Sequence, residues 1–399
     1  MAGWASRHQD TGPPPGATTL TPLENFLRYS PFRMERWQST HEHRVRYNLS
    51  ESGVHPLTVG QLLALAESDL SVDDVRLGYG QSNGSDQLRS LIAARYPGAS
   101  DASVLVTVGG AEANFSCFWH LMEAGGKAAM VVPTYGQVPG LVDSFGGVVA
   151  PVSLVETEGW QPDLDALARA LEDGARFVLV TNPNNPTGAA LSAESMDRIV
   201  ELTDQHGAWI LADEVYQGAE IGEARTPSFW GRHERVLVTN SLSKAYGLPG
   251  LRIGWIVGPP GTIADLWGRT DYTTICPAAL SDALARVALE PATRARIRER
   301  TRGIVRQNLA LVEDWMHAQE GRFHYRPPDA GAICYARYDA GIGSAAFAEK
   351  LRAEKSVLVV PGDHFGMDRY IRIGFGNPAA ELREALGLIR EAFDEVAGR

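Results

Sequence analysis

Ser241-Leu-Ser-Lys-Ala-Tyr-Gly-Leu-Pro-Gly-Leu-Arg252 places a lysine, two hydroxyls and an arginine on a glycine-rich turn, directly after an apolar run over 235–240 that reads as a strand. A lysine amine in such a turn can form a Schiff base with an aldehyde. Ser241 and Ser243 as donors and Arg252 as a planar fork can together hold a dianionic phosphate. The lysine is also scarce: Lys127, Lys244, Lys350 and Lys355 are the only four among 37 Lys+Arg, so amine chemistry has few candidates. A solvated surface loop is the competing reading, and the neighbouring segments weigh against it.

Upstream, Asp213-Glu-Val-Tyr216 closes a second apolar run, over 209–212. A carboxylate there, opposite a heterocyclic nitrogen, keeps that nitrogen protonated and makes the ring a stronger electron sink. Helix capping is the commoner use of such an aspartate. Tyr216, three residues on, can give its phenol to an oxygen of the same ring. Asn182-Pro-Asn-Asn-Pro-Thr-Gly188 is a loop stiffened by two prolines, with Asn185 offering an amide to a ring oxygen or a substrate carboxylate; an Asx-turn is the alternative. Val108-Gly-Gly-Ala-Glu-Ala113 is a glycine turn between a strand and a helix, whose free N–H groups suit a phosphate. A nicotinamide-binding fold is the competitor at that turn, but the G-x-G-x-x-G pattern is absent.

These segments recur within one rhythm. Helix through 96, strand 103–108, helix 112–122, strand 128–132, helix 138–145, strand 148–151, helix 164–171, strand 177–180 and helix 193–206 precede the strands 209–212 and 235–240. This predicts an α/β domain with a mostly parallel central sheet, and places Gly109-Gly110, Thr181-Asn182, Asp213 and Ser241 at strand ends facing one crevice. An arginine-rich helical stretch over 278–318 leads to strands at 333–336, 357–360 and 370–374 and a helix from Glu381, read as a smaller α+β domain. The organisation expected is an N-terminal arm and short helix over 1–45, a large domain over 46–275, and the connecting helix with the small domain over 276–399. The stretch through Thr21 reads as a mobile arm or a strap over a partner subunit, followed by helices over 22–37 and 60–68.

The chain has 399 residues, with 37 Lys+Arg against 48 Asp+Glu and a net charge of −11. That balance disfavours nucleic acid and anionic lipid as partners. Cys117, Cys276 and Cys334 are far apart, which excludes a disulfide framework and local thiolate metal pairs, so no metal is expected. Nothing approaches the roughly 18 apolar residues of a membrane span, and Met1–Asp10 lacks a signal-peptide core, so the expected location is cytoplasmic.

From about residue 45 onward the chain resembles the fold-type I pyridoxal-phosphate enzymes, specifically the class I/II aminotransferase family. The resemblance implies pyridoxal 5'-phosphate on Lys244, with Asp213 at its ring nitrogen and Tyr216 and Asn185 at its phenolic oxygen. Gly109, Gly110, Ala111, Ser241, Ser243 and Arg252 would hold its phosphate and Tyr135 would stack on its face. Tyr79, in Tyr79-Gly-Gln-Ser-Asn-Gly84, matches the tyrosine that these dimers lend to the neighbouring subunit's phosphate, which implies a homodimer with shared sites. Arg372, in Tyr-Ile-Arg-Ile-Gly-Phe375, matches the arginine that grips a substrate α-carboxylate, with Asn185, Gly53 and Val54 beside the substrate. The activity implied is transamination of an L-amino acid, with a 2-oxo acid as acceptor.

Ser-Glu-Ser-Gly-Val-His55, Arg269-Thr-Asp-Tyr-Thr-Thr274 and Val-Leu-Val-Val-Pro-Gly-Asp-His-Phe-Gly366 are also similar to capreomycidine synthase-like members of secondary metabolism. Those close a guanidine ring on a hydroxyarginine by β-elimination and readdition, which makes cyclisation the alternative activity. His55 and His364 are then the candidates for a second base, with simple packing as the competing role. Glu112 reads as a first-turn helix acid, Tyr246 as a loop aromatic and Cys117 as core. A regulator that keeps the fold without turnover is disfavoured, because family regulators carry a DNA-binding domain ahead of this part.

Overall fold

The computed structural model describes residues 31–122 and 125–397. The expected arm and all of the first expected helix before residue 31 lie outside the described residues; the helix that follows is Arg33–His41. The strands, in chain order, are β1 (Tyr47–Asn48), β2 (Val104–Thr107), β3 (Lys127–Val132), β4 (Val148–Val155), β5 (Gln161–Pro162), β6 (Ala175–Thr181), β7 (Trp209–Asp213), β8 (Val236–Ser241) and β9 (Gly254–Val257). The C-terminal part adds β10 (Phe323–Tyr325), β11 (Ile333–Tyr338), β12 (Val357–Leu358), β13 (Val360–Pro361) and β14 (Tyr370–Gly374).

The large sheet has the order β2-β9-β8-β7-β6-β3-β4-β5. Pairing is parallel from β8 through β7, β6 and β3 to β4, whereas β9 runs antiparallel to both β8 and β2. Hence β2 points the same way as β8, and the C-terminal ends of β2, β6, β7 and β8 share one edge. Burial on both faces explains why these strands read as continuous apolar runs: every residue of β7 but Trp209 is buried, as is every residue of β8.

Four expectations needed correction. β9 was not foreseen: it is a four-residue, fully buried strand wedged between β2 and β8, and Gly254 is required there because a Cβ would collide with the backbone of Gly109. The helix expected from 112 begins at Gly109, so the glycine pair forms its first turn instead of a separate loop. Gly109 takes φ +80°, and the Glu112 carboxylate reaches back to accept the Val108 N–H at 2.6 Å, which satisfies a donor the helix start leaves open. The helix expected over 278–318 divides into Ala279–Leu289 and Pro291–His317, since Pro291 has no N–H to offer and Glu290 is extended. The strand expected over 357–360 splits, β12 pairing parallel with β1 and β13 antiparallel with β14.

Two cores follow. One surrounds the large sheet and includes Leu284, Leu289 and Ile297; the other packs Val305, Val312 and Met316 with Ile371, Ile373 and Phe393, and also takes in Tyr47, Leu49 and Val54. We therefore propose that residues 47–54 belong with the C-terminal lobe and that the helix Pro291–His317 passes from one lobe to the other, a division later than the expected 275/276. The strap 47–54 brings Glu51 and Ser52 to the strand ends of the large sheet.

Candidate active site

A cavity of about 480 Å³ opens at the shared strand-end edge, between the lobes. Asp213, the last residue of β7, lies at its floor and is buried. Its Oδ2 accepts from Asn114 Nδ2 at 3.0 Å and its Oδ1 from the Val215 N–H at 3.2 Å; Thr239 Oγ1 in turn donates to Asn114 Oδ1 at 2.7 Å. Burial pushes the Asp213 carboxyl up from its ordinary value, while these donors and the Lys244 charge oppose that. A buried carboxylate so oriented is poised to accept one more proton donor from the cavity.

Lys244 stands in the turn after β8 with its Nζ 3.8 Å from a Glu51 carboxylate oxygen. On the other side, Gly110, Ala111, Ser241, Ser243 and Arg252 line one end of the cavity. Gly109 lies under the Arg252 guanidinium, which a Cβ at that position would strike; Arg252 takes a left-handed φ of 51° and donates from Nη1 to the Pro249 carbonyl at 3.1 Å. A helix start, two hydroxyls and a guanidinium thus converge where a dianion is stabilised by N–H donors and the helix dipole.

Arg372, in the middle of β14, is 1% exposed. Its Nη1 donates to Asn185 Oδ1 at 2.8 Å and its Nη2 to the Ser50 carbonyl, but Nε is buried and has no partner among the described residues. Burial pulls its pKa down. A buried guanidinium with an open donor and no carboxylate is costly by itself, which is the state expected of a group held ready for an anionic ligand.

Tyr216 donates its hydroxyl to Ser52 Oγ at 2.8 Å, tying the strap to the floor. Tyr135 lines the cavity and donates to Glu35 Oε1 at 2.7 Å. The expected residues Lys244, Asp213, Tyr216, Asn185, Tyr135, Gly110, Ala111, Ser241, Ser243, Arg252 and Arg372 are therefore brought to one cavity. Gly53 and Val54 do not line it: Gly53 packs its backbone against Ser243 and Lys244, Val54 lies in the second core, and Glu51 and Ser52 face the cavity in their place. Tyr79 stands 89% exposed, away from this cavity. His55 Nδ1 bonds to the Gly376 carbonyl at 2.9 Å, and His364 packs edge-on to Trp37 with a pKa lowered to about 4, first by burial and then by Arg33. Neither lines the cavity.

Asn114 and Thr239 were overlooked, although their spacing carried a signal. Asn114 is four residues past Gly110 on one helix face, and Thr239 is two before Ser241 on one strand face. Glu35, Glu42 and Glu51, which line the mouth, come from a helix and the strap that closely follows it, with no local signature.

The residues fit pyridoxal 5'-phosphate: an amine for its aldehyde, a buried acid for its ring nitrogen, an anion cradle and an open guanidinium for the carboxylate of an amino acid. The fold and this donor set are those of a fold-type I pyridoxal-phosphate enzyme. Residues 55–389 match the family model described as aminotransferase class I and II, and the chain belongs to that family. It is 33% identical to capreomycidine synthase of Streptomyces vinaceus over 95% of both chains. Among solved structures it superposes on a PLP-dependent aminotransferase from Streptococcus suis with a TM-score of 0.86 at 30% identity, covering 93% of this chain and 99% of that one. It also superposes on a PLP-dependent cyclase with a TM-score of 0.84 at 28% identity, covering 95% of this chain and 100% of that one. No described helix is long and apolar enough to cross a membrane.

Proposed function

We propose that this enzyme acts on an L-amino acid with a cationic side chain, of the hydroxyarginine type, and closes a ring on it by β-elimination and readdition. The observation that carries the reading is the acidic mouth. Glu35, Glu42 and Glu51 line the same cavity as Arg372, where Glu51 and Glu35 act against the burial of that guanidinium, and the Glu42 carboxyl is pushed up by burial and then by Glu51, with Glu35 adding to it and His43 and Lys244 opposing it. Three carboxylates crowded beside one another are relieved by a cation, and a guanidinium is the fork that carboxylates take best. The name and full-length match of the capreomycidine synthase relative support the ring-closing outcome.

Arg372 and Asn185 would fix the substrate α-carboxylate, using the open Nε. That orients the Cα–H bond toward Lys244, whose amine is the base within the cavity. Bound pyridoxal phosphate supplies the electron sink for the charge that proton removal leaves behind. Lys244 then carries the proton beside Glu51, positioned to return it to a departing hydroxide, since no histidine among the described residues lines the cavity. Ring closure forms a bond from the guanidine nitrogen to the β-carbon; that nitrogen gives up a proton and the α-carbon takes one back, by way of the Lys244 amine, so the product is the substrate less one water.

Transamination of the same amino acid, with a 2-oxo acid as acceptor, is the competing outcome of the same proton removal. Incubating the holoenzyme with hydroxyarginine without acceptor should give a product lighter by one water and no keto acid. Strict dependence on a 2-oxo acid would instead assign transamination. Glu42→Gln should raise KM for the cationic substrate about tenfold while leaving an uncharged isostere such as a citrulline analogue nearly unchanged; equal effects on both would remove the cation argument.

We also propose a homodimer with shared sites. Leu77, Tyr79 and Tyr272 are 86%, 89% and 82% exposed, and Trp267 Nε1 donates to Ser82 Oγ at 2.9 Å, so the loop carrying Tyr79 and the segment carrying Tyr272 are neighbours. A second copy covering this apolar surface would let Tyr79 reach that copy's cofactor phosphate. Sedimentation is expected to give a dimer, and an active monomer would contradict it.

A further inference from the structure

Behind the active site, on the far side of the turn that carries Lys244, a second cavity of about 100 Å³ is lined by Arg95, Arg225, Arg294 and Arg298 together with Ala94, Gln217, Gly218 and Tyr246. Arg294 and Arg298 are four residues apart on one face of the helix Pro291–His317, in its first two turns, where the helix dipole adds further positive potential. Arg95 enters from the opposite wall. Its guanidinium carbon lies 5.5, 5.7 and 4.9 Å from the ring centres of Tyr96, Tyr246 and Trp255, yet its buried Nη1 has no hydrogen-bond partner among the described residues. The buried Arg298 Nε is likewise unpartnered.

The carboxylates close by do not balance these charges. Glu220 lies 3.8 Å from Arg298 Nη2, but its Oε1 is taken by the N–H groups of Gly218 and Thr226. Glu214 has one oxygen occupied by Ser228 and Phe229 and the other without a hydrogen-bond partner among the described residues, and burial pushes its carboxyl up to about 7. Consistent with crowded like charges, Arg294 is held below the ordinary arginine value, by burial first, with Arg95, Arg225 and Arg298 adding to it. Several guanidinium groups around a small polar hollow, two of them with buried open N–H donors, make a site built for a compact polyvalent anion.

We propose that this hollow binds one tetrahedral oxyanion of the phosphate or sulfate class, at a place separate from the cofactor's phosphate cradle. The volume admits a single such group and no nucleotide. Occupancy would tighten the rear wall of the catalytic centre, because Gln217 and Gly218 follow Tyr216 directly and Tyr246 follows Lys244 by two residues. The anion comes either as free phosphate or as the exposed end of a phosphomonoester.

The test uses holoenzyme saturated with pyridoxal phosphate, so that the cradle is filled, at constant ionic strength. Inorganic phosphate should raise Tm by about 1–2 °C at tenfold excess over its Kd, and by progressively smaller steps beyond that. Glycerol phosphate in a parallel titration separates the sources, an equal rise identifying an esterified phosphate as an acceptable ligand and no rise restricting the site to the free ion. Arg294→Gln, which spares the Arg298–Glu220 pair, should lose most of the phosphate-dependent rise, yet be at least as stable as the parent in phosphate-free buffer, because a like charge has been removed. A purely structural role for these arginines predicts the reverse, a lower Tm in phosphate-free buffer. Should the variant fold poorly, crystals of the parent soaked in tungstate should carry an anomalous peak between Arg95 and Arg294. Absence of such a rise, an equal rise in the variant, or tungstate bound only elsewhere overturns the proposal.

Discussion

Lys244→Ala is expected to bind pyridoxal phosphate weakly, to lack the visible absorption of the protein-bound cofactor, and to lose turnover by at least about 10³-fold, more than 4 kcal/mol of barrier. The loss follows from the two roles we propose for one side chain, covalent anchor and base for the α-proton. The fold should be almost unaffected. Lys244 projects into a cavity with about a quarter of its side chain exposed, and its one ion pair, to a half-exposed Glu51 at 3.8 Å, contributes little. A thermal midpoint within a few degrees of the parent's, measured beside kcat, would separate lost chemistry from lost structure. Retained absorption and turnover would remove the amine from the mechanism.

Asp213→Asn carries the next largest effect, a fall in kcat on the order of 10²–10⁴-fold with the cofactor still bound. The substitution keeps shape and changes what the group can accept. Asn114 already presents its amide nitrogen to Asp213 Oδ2 at 3.0 Å, and Thr239 fixes that orientation by donating to the Asn114 oxygen. An amide at 213 has one acceptor oxygen for two donors that now bond separate oxygens, so either Asn114 Nδ2 or the Val215 N–H is left facing an NH₂ group. No anion would remain there to favour a protonated ring nitrogen. Activity within tenfold of the parent would show that the carboxylate does no more than hold Asn114.

Much of the site could be read from sequence because its residues fall on turns directly after short apolar strands. Asp213 and Ser241 end β7 and β8, and in a sheet whose strands run alike such ends must converge. β9 stayed hidden since its four residues follow Arg252 without a turn signal of their own and reverse the sheet's direction. The acidic mouth was also out of reach. It joins Glu35 and Glu42, around the helix Arg33–His41, to Glu51 on the strap that closely follows, and no helical or strand period relates the two. His55 and His364 show the converse: both lie on segments close to the site, but one is held by the Gly376 carbonyl and the other is pressed against Trp37.

The arginine hollow behind Tyr246 has no signature in the sequence, since Arg95 lies far along the chain from Arg225, Arg294 and Arg298. Its neighbours in sequence read as a helix end and an arginine-rich connecting helix. Only the fold turns those charges toward each other.

The scarcity of lysine permits one direct examination of the central claim. Lys127 pairs with Asp173, and Lys350 and Lys355 both pair with Glu395, so three of the four amines are engaged on the surface. Reconstitution with pyridoxal phosphate, reduction with borohydride and mapping of the proteolytic peptides by mass should place a single phosphopyridoxyl group on Lys244. A label on Lys127, Lys350 or Lys355, or no stoichiometric label at all, would contradict the account.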